Sequence, residues 1–175
     1  MVMKTNSLQK QLFGAIIKSM KAEGGIILNA TTEFLINMRK IIKLHEGMLR
    51  ELGEAYEISL LEATIISFLH NNPGKDTAGD IVELRMLQKS NVSQAVELLY
   101  KKGLLTRQQD SGDRRRIHLF LTEKAKPMTD SMDDMWKKFE EKVFEGISRE
   151  EQRQFEKINE QIKENICSIT ERSET

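Results

Sequence analysis

The stretch Leu104-Leu105-Thr106-Arg107-Gln108-Gln109-Asp110-Ser111-Gly112-Asp113-Arg114-Arg115-Arg116-Ile117-His118-Leu119-Phe120-Leu121-Thr122-Glu123-Lys124 decides how the chain is read. Leu104 to Gln108 reads as a strand. Asp110 to Asp113 is a cluster of turn formers, and Arg116 to Leu121 is a second strand of β-branched and apolar residues in near alternation. The sequence therefore predicts a β-hairpin with a cationic tip.

Upstream, Thr77 followed three residues on by Asp80 reads as a capping box that starts a short helix from Ala78 to about Arg85. After a tight turn a second helix runs from about Lys89 to Lys102, with Val92, Ala95, Val96 and Leu99 inward and Gly103 ending it. Two short helices joined by a tight turn predict a helix-turn-helix, followed directly by the hairpin. Before them, Ser59 with Glu62 forms another capping box. It opens a helix through Ile65, Ile66, Phe68 and Leu69 to the stop at Asn71-Asn72-Pro73-Gly74.

Farther out the pattern is helical on both sides. Phe34, Met38, Ile41, His45, Met48 and Leu52, backed by Leu35, Ile42 and Leu49, predict one long helix over roughly 31–52, and Leu8, Leu12, Ile16, Ile17 and Met20 a shorter one before Gly24-Gly25. Downstream, Thr122 is read as the N-cap of a helix carrying Ala125, Met128, Met132, Met135, Phe139 and Val143. Ser148 with Glu151 opens a last helix striped by Phe155, Ile158, Ile162, Ile166 and Ile169. The predicted fold class is mainly α with a small β-hairpin wing (α+β). It comprises N-terminal helices over 1–58, a winged helix-turn-helix over 59–122 and C-terminal helices over 123–175. The 64-residue middle module cannot cover the apolar stripes of the flanking helices, so a homodimer with interleaved terminal helices is expected.

The bulk numbers bound the function. The 175 residues carry 27 Lys+Arg against 27 Asp+Glu, but the charge is uneven: nine cations against eight anions over 1–76, eight against five over 77–122, and ten against fourteen over 123–175. The basic middle concentrates at Arg107, Arg114, Arg115 and Arg116, where an anionic partner would sit. A single cysteine, Cys167, excludes an internal disulfide framework and a Cys-rich zinc site. With no run of 18 apolar residues and no apolar leader with a cleavage site, the expectation is a cytoplasmic protein with no membrane partner.

The stretch from Ser59 to Met128 resembles the winged-helix core of the MarR family of bacterial transcription regulators. The likeness is closest at Asp110, Asp113-Arg114-Arg115 and Leu121-Thr122-Glu123-Lys124, and at Leu98-Leu99-Tyr100-Lys101-Lys102-Gly103-Leu104 before the wing. It implies a dimeric regulator that binds a pseudo-palindromic operator in double-stranded DNA, with a regulatory site between the reading heads and the dimerisation helices. The residues support the DNA half independently. Lys89, Ser90, Asn91, Ser93 and Gln94 give the second helix an outward face of short donors and acceptors suited to base edges, with Lys101 farther off. The family's Asp-x-Arg motif maps onto Asp113 and Arg115, where the carboxylate can hold a guanidinium. Arg114, Arg115 and Arg116 together could place one cation in a minor groove.

Two positions depart from the family. Gln94 stands where Arg or Lys is common and Gln88 where a short acidic or hydroxyl N-cap is common, which shifts readout toward adenine and leaves the wing more of the affinity. Enzyme signatures are absent: there is no phosphate-cradling glycine loop, no His-x-x-x-His pair and no G-x-S-x-G elbow, and no cofactor is expected. His45, Met128, Met132 and Trp136 are candidate lining for a small apolar or phenolic effector, against the plainer reading of a packed stripe. Cys167 near the chain's end has no Lys, Arg or His within three residues to activate it and is read as structural. The competing class is a winged-helix protein-interaction module with no operator, suggested by neutral net charge and Gln94.

Overall fold

A computed structural model describes residues 30–173, so the helix expected from Leu8 to Met20 lies outside the described residues. The chain forms two compact units, residues 1–47 and 48–175. Helix α1, Ala30–Ala55, begins in the first and ends in the second. Where it ends, the amide of Ile58 donates to the Gly53 carbonyl at 2.9 Å, folding the chain back on itself. A Cβ on Gly53 would stand 2.9 Å from the Ile58 carbonyl, so the reversal needs glycine there.

The second unit is organised around α2, Leu60–Asn71, whose Ala63, Ile65, Ile66 and Phe68 are buried. Its start is fixed as the sequence predicts: Ser59 Oγ accepts from the Glu62 amide at 3.2 Å, and the Ser59 amide donates to the Glu62 carboxylate at 2.9 Å. Helices α3 (Ala78–Arg85) and α4 (Lys89–Lys101) pack with α2 through Ile81, Val92, Ala95, Val96 and Leu99. Burying each such side chain contributes about 1.5–3 kcal/mol. Thr77 and Asp80 close the second capping box.

Strands β1 (Leu105–Gln109) and β2 (Ile117–Leu121) pair antiparallel in a register that sets Leu105 opposite Leu121 and Gln109 opposite Ile117. β1 lies one residue later than expected, and β2 starts one residue later while ending at Leu121 as expected. Arg116 belongs to the connection, because its amide donates to the Asp113 carbonyl at 2.8 Å and its carbonyl accepts from the Asp110 amide at 3.0 Å. All three consecutive arginines therefore sit on a closed turn rather than on a strand.

Thr122 stands at the expected N-cap position, but of a short 3₁₀ turn. Its hydroxyl donates to the Gly103 carbonyl at 2.7 Å and makes no cap bond, so Glu123–Ala125 forms a 3₁₀ turn before α5, Lys126–Val143. Pro127 in the first turn of α5 suits that start, since its missing N–H would have no helical partner there. Helix α6, Arg149–Ser173, opens on the predicted Ser148–Glu151 box. Its Phe155 and Ile158 are exposed, as are Phe34, Leu35, Met38 and Ile42 of α1.

Met86 joins α3 to α4 in the left-handed region, φ 51° and ψ 41°, with 94% of its surface exposed. A side chain there costs about 1 kcal/mol relative to glycine and gains no packing in return. Two glycine exchanges should therefore move stability in opposite directions. Met86→Gly is expected to stabilise by about 0.5–1 kcal/mol. Gly53→Ala is expected to destabilise by about 1–3 kcal/mol, because backbone must shift to admit the methyl. Urea unfolding with an unchanged slope measures both, and a destabilised Met86→Gly would contradict this account of the turn.

Candidate nucleic-acid interface

The face of α4 opposite its buried Val92, Ala95, Val96 and Leu99 carries Lys89, Ser90, Asn91, Ser93 and Gln94, all exposed. Gln88 is the N-cap residue but its side chain makes no cap bond, so the positive end of the helix has no side-chain acceptor laid over it. Lys101 at the other end pairs with Glu97 at 3.7 Å. Glu97 also takes Arg107 Nη2 at 2.8 Å, and that guanidinium lies over the Tyr100 ring, 4.7 Å from its centre. Arg107 is thus committed to packing β1 on α4, which removes it from the cationic cluster read in the sequence.

A groove of about 710 Å³ lies between α4 and the hairpin, with Ser93, Gln94 and Glu97 among its lining on one side and Arg107 and Ile117 on the other. Beyond it lies the arginine turn. Asp113 Oδ1 accepts from both the backbone amide of Arg115, at 3.1 Å, and its Nε, at 3.2 Å. The expected pairing is present, although it arises from the closed turn and not from strand alternation. The Arg115 side chain remains 91% exposed, so the clamp orients it without covering it. Gln109 Nε2 donates to the Arg114 carbonyl at 2.7 Å and braces the same turn.

Three residues that the sequence reading left without a role hold this turn in place. Asp110 Oδ1 accepts from the amides of Gly112 and Asp113, both at 2.7 Å. Asp110 Oδ2 meets His118 Nε2 at 3.0 Å, and His118 Nδ1 meets Asp76 Oδ1 at 2.6 Å. The Asp113 amide, His118 and the Gly112 amide together pull the Asp110 carboxyl down to about 2. Hydrogen bonds from His118 to Asp110 and then Asp76 raise the imidazole above its ordinary value. Asp76 also accepts the Leu119 amide on its carbonyl at 2.8 Å, so the residue before the α3 cap is joined to β2 by backbone as well. The turn residues Asp110 and Asp113 could have pointed to this set, whereas Asp76 is 42 residues from His118 and no local signal links them.

The candidate effector residues belong to two elements. Met128 and Met132 of α5 are 2% and 0% exposed and belong to the core, with Trp136 partly buried one turn on. His45 lies on α1 within residues 1–47. A cleft of about 360 Å³ opens beside Met135, with Met48, Leu52, Ser131 and Lys138 among its lining. Cys167 is exposed on α6. Among the described residues no cluster of metal ligands occurs, and no helix is long and apolar enough to cross a membrane.

Residues 56–116 match the model of the MarR family, and the fold around them is that family's winged helix. A MarR transcriptional regulator from Methanosarcina mazei Go1 superposes with a TM-score of 0.66 at 22% identity, over 78% of this chain and 99% of that one. A MarR family regulator from Listeria monocytogenes, solved in complex with a 26mer DNA, gives 0.65 at 16% identity over 77% and 89%. BpsR of Bordetella bronchiseptica, described through the regulation of its DNA binding by 6-hydroxynicotinic acid, gives 0.57 at 16% over 75% and 98%.

The two halves of the interface should respond differently to truncation. Arg115→Ala is expected to weaken binding to every duplex and to lower the log-log salt slope by about 1 per lost contact in each half-site. Gln94→Ala is expected to cost about 1–3 kcal/mol on the preferred duplex and little on unrelated DNA. Fluorescence anisotropy at two or more salt concentrations reads both. An Arg115→Ala protein that binds as the parent does would remove the turn from the interface.

Proposed function

We propose that this chain is a sequence-specific DNA-binding transcriptional regulator of the MarR type, acting as a homodimer and a repressor on a pseudo-palindromic operator. The observation that carries this reading is an exposed polar face on α4, with a groove between it and the hairpin, together with an arginine turn at the hairpin's tip clamped by Asp113. In this reading Lys89, Ser90, Asn91, Ser93 and Gln94 meet the major groove, and Lys101 lies toward the phosphates. Arg114, Arg115 and Arg116 reach the adjacent minor groove, and the backbone between the two grooves crosses the opening.

Dimerisation is supported by the exposed apolar residues at both ends of the described chain, Phe34, Leu35, Met38 and Ile42 on α1 and Phe155 and Ile158 on α6. Each such stripe is unfavourable in water and is relieved by a second copy about a two-fold axis. A small apolar or phenolic effector has a place to bind in the cleft at Met48, Leu52 and Met135, where Lys138 would meet an acidic group. The regulation of BpsR's DNA binding by 6-hydroxynicotinic acid is in keeping with that chemistry.

Selection from random double-stranded DNA, followed by titration of the recovered duplex at two salt concentrations, tests the reading. The expected product is a palindrome with half-sites about 10 base pairs apart, bound with a steep salt dependence by a particle twice the 20.2 kDa chain mass. Selection without enrichment would overturn the operator and leave the protein-interaction module in its place. A folded monomer by light scattering would overturn the two-fold docking.

A further inference from the structure

The side chain of His118 on β2 joins the arginine turn to the start of α3, and its geometry dictates its protonation. Nδ1 stands 2.6 Å from Asp76 Oδ1 and Nε2 stands 3.0 Å from Asp110 Oδ2. An ionised carboxylate can only accept, and a neutral imidazole has one N–H and one lone pair, so it can serve one of these oxygens and must turn a lone pair on the other. The doubly protonated ring satisfies both.

The contacts continue past the ring. Asp110, held through Oδ2 by His118, uses Oδ1 to fix the amides of Gly112 and Asp113, and Asp113 in turn holds Arg115 through its backbone amide and Nε. At the other end Asp76 precedes Thr77, the N-cap of α3, and Thr77 bridges His118 through the backbone. The chain of contacts therefore runs from the helix-turn-helix to the exposed guanidinium. We infer that His118 is a positioning residue for DNA recognition, whose imidazolium ties the arginine turn to α3 and so presets Arg115 for the minor groove. This rests on the operator-binding reading and adds to it a dependence on pH.

The groups that face the ring can be named from each element around it. Asp76 comes from the segment before α3 and Asp110 from the turn, while uncharged Gln108 is its register partner on β1 and Phe120 stacks near it on β2. Asp80, in the first turn of α3, is engaged by Thr77 and lies in the field of Lys75 and Arg116. The sign follows from these partners. His118 is raised in the folded chain, so its hold is complete below the ordinary imidazole value near 6.5 and is lost as pH rises through the raised one. Asp110 is depressed to about 2, so its share is present above the ordinary carboxylate value and fails only in strong acid. The turn is fully tied between those limits and loosens on the alkaline side.

The test uses the full chain and the duplex recovered by selection, at constant ionic strength, at about pH 6 and about pH 8.5. The parent protein is expected to bind about tenfold more weakly at the higher pH, the sum of modest exposed pairs in two protomers. His118→Gln should bind at the weak level at both values, because an amide cannot donate to both carboxylates with charge. His118→Arg, cationic throughout, should restore tight binding at high pH and flatten the profile. A second arm follows the free protein by nitrogen-15 NMR, in which the Gly112 and Asp113 amides should titrate with the His118 ring. A parent pH dependence that persists in His118→Gln, or tight binding by His118→Gln at both values, would overturn the assignment. If no duplex is bound at any pH the operator reading fails by itself, and the free-protein arm still decides the tie: amides that move with the ring support it, and amides indifferent to the ring refute it.

Discussion

Glu62 is 3% exposed, and the reading head is assembled around its carboxylate. Burial alone would raise its pKa, but hydrogen bonds from Lys102 and from the amide and hydroxyl of Ser59 outweigh that and hold it below the usual carboxylate range. Lys102 Nζ reaches Glu62 at 2.8 Å, so the start of α2 is tied to the residue that ends α4. The same lysine donates to the Glu57 carbonyl at 3.2 Å, and its own carbonyl accepts from Lys124 at 2.8 Å. One buried anion thereby fixes where α4 stops and where the chain turns through Gly103, at φ 70°, into β1. Leaving such a charge without its partner costs several kcal/mol in a dry site and less here, because Lys102 is 38% exposed.

The parts of the architecture that were legible in the sequence are those whose physics is local. Three capping boxes could be read because a hydroxyl and a carboxylate three residues apart satisfy each other's amides whatever the rest of the chain does. The hairpin could be read from its turn formers and its alternation. Thr122 stands at an N-cap position but, with Ala125 and no acid three residues on, makes no box, and its hydroxyl goes to the Gly103 carbonyl 19 residues earlier. Arg107 looked like part of the basic cluster and is instead held by Glu97 and Tyr100 on a neighbouring helix. Met86 carries no sequence signal for a left-handed conformation, because that conformation is imposed by the tight passage from α3 to α4.

The candidate site divides in the same way. Its exposed residues could be named in advance, because the outward face of α4 is the complement of a core stripe that the helical period reveals. Its supports could not: His118 depends on Asp76, and only the pairing of β2 with the segment before α3 brings them together. Zero net charge likewise concealed the arrangement, with a surplus of cations between residues 77 and 122 and of anions after 123. That asymmetry is physically useful to a DNA reader. Duplex DNA attracts the winged module and repels the acidic C-terminal helices, so long-range electrostatics favour approach with α4 and the turn leading.

On the proposed reading the cationic turn enters a narrow groove, which carries an entropic cost, since Arg115 is exposed and an unrestrained guanidinium samples many rotamers. The structure lowers that cost before any partner arrives. Asp113 restrains the Arg115 backbone and its Nε together, Asp110 restrains Asp113, and His118 restrains Asp110 against α3. Each link is a modest contact, exposed or partly so, and none is worth much to global stability. Their value lies in series: the loss of rotamer freedom is largely met on folding, so more of the attraction between guanidinium and phosphate-rich groove is available on binding. On the proposed role of His118, the same series lets affinity respond to its proton while the apolar cluster under Phe68, Leu99 and Leu105 stays as it is.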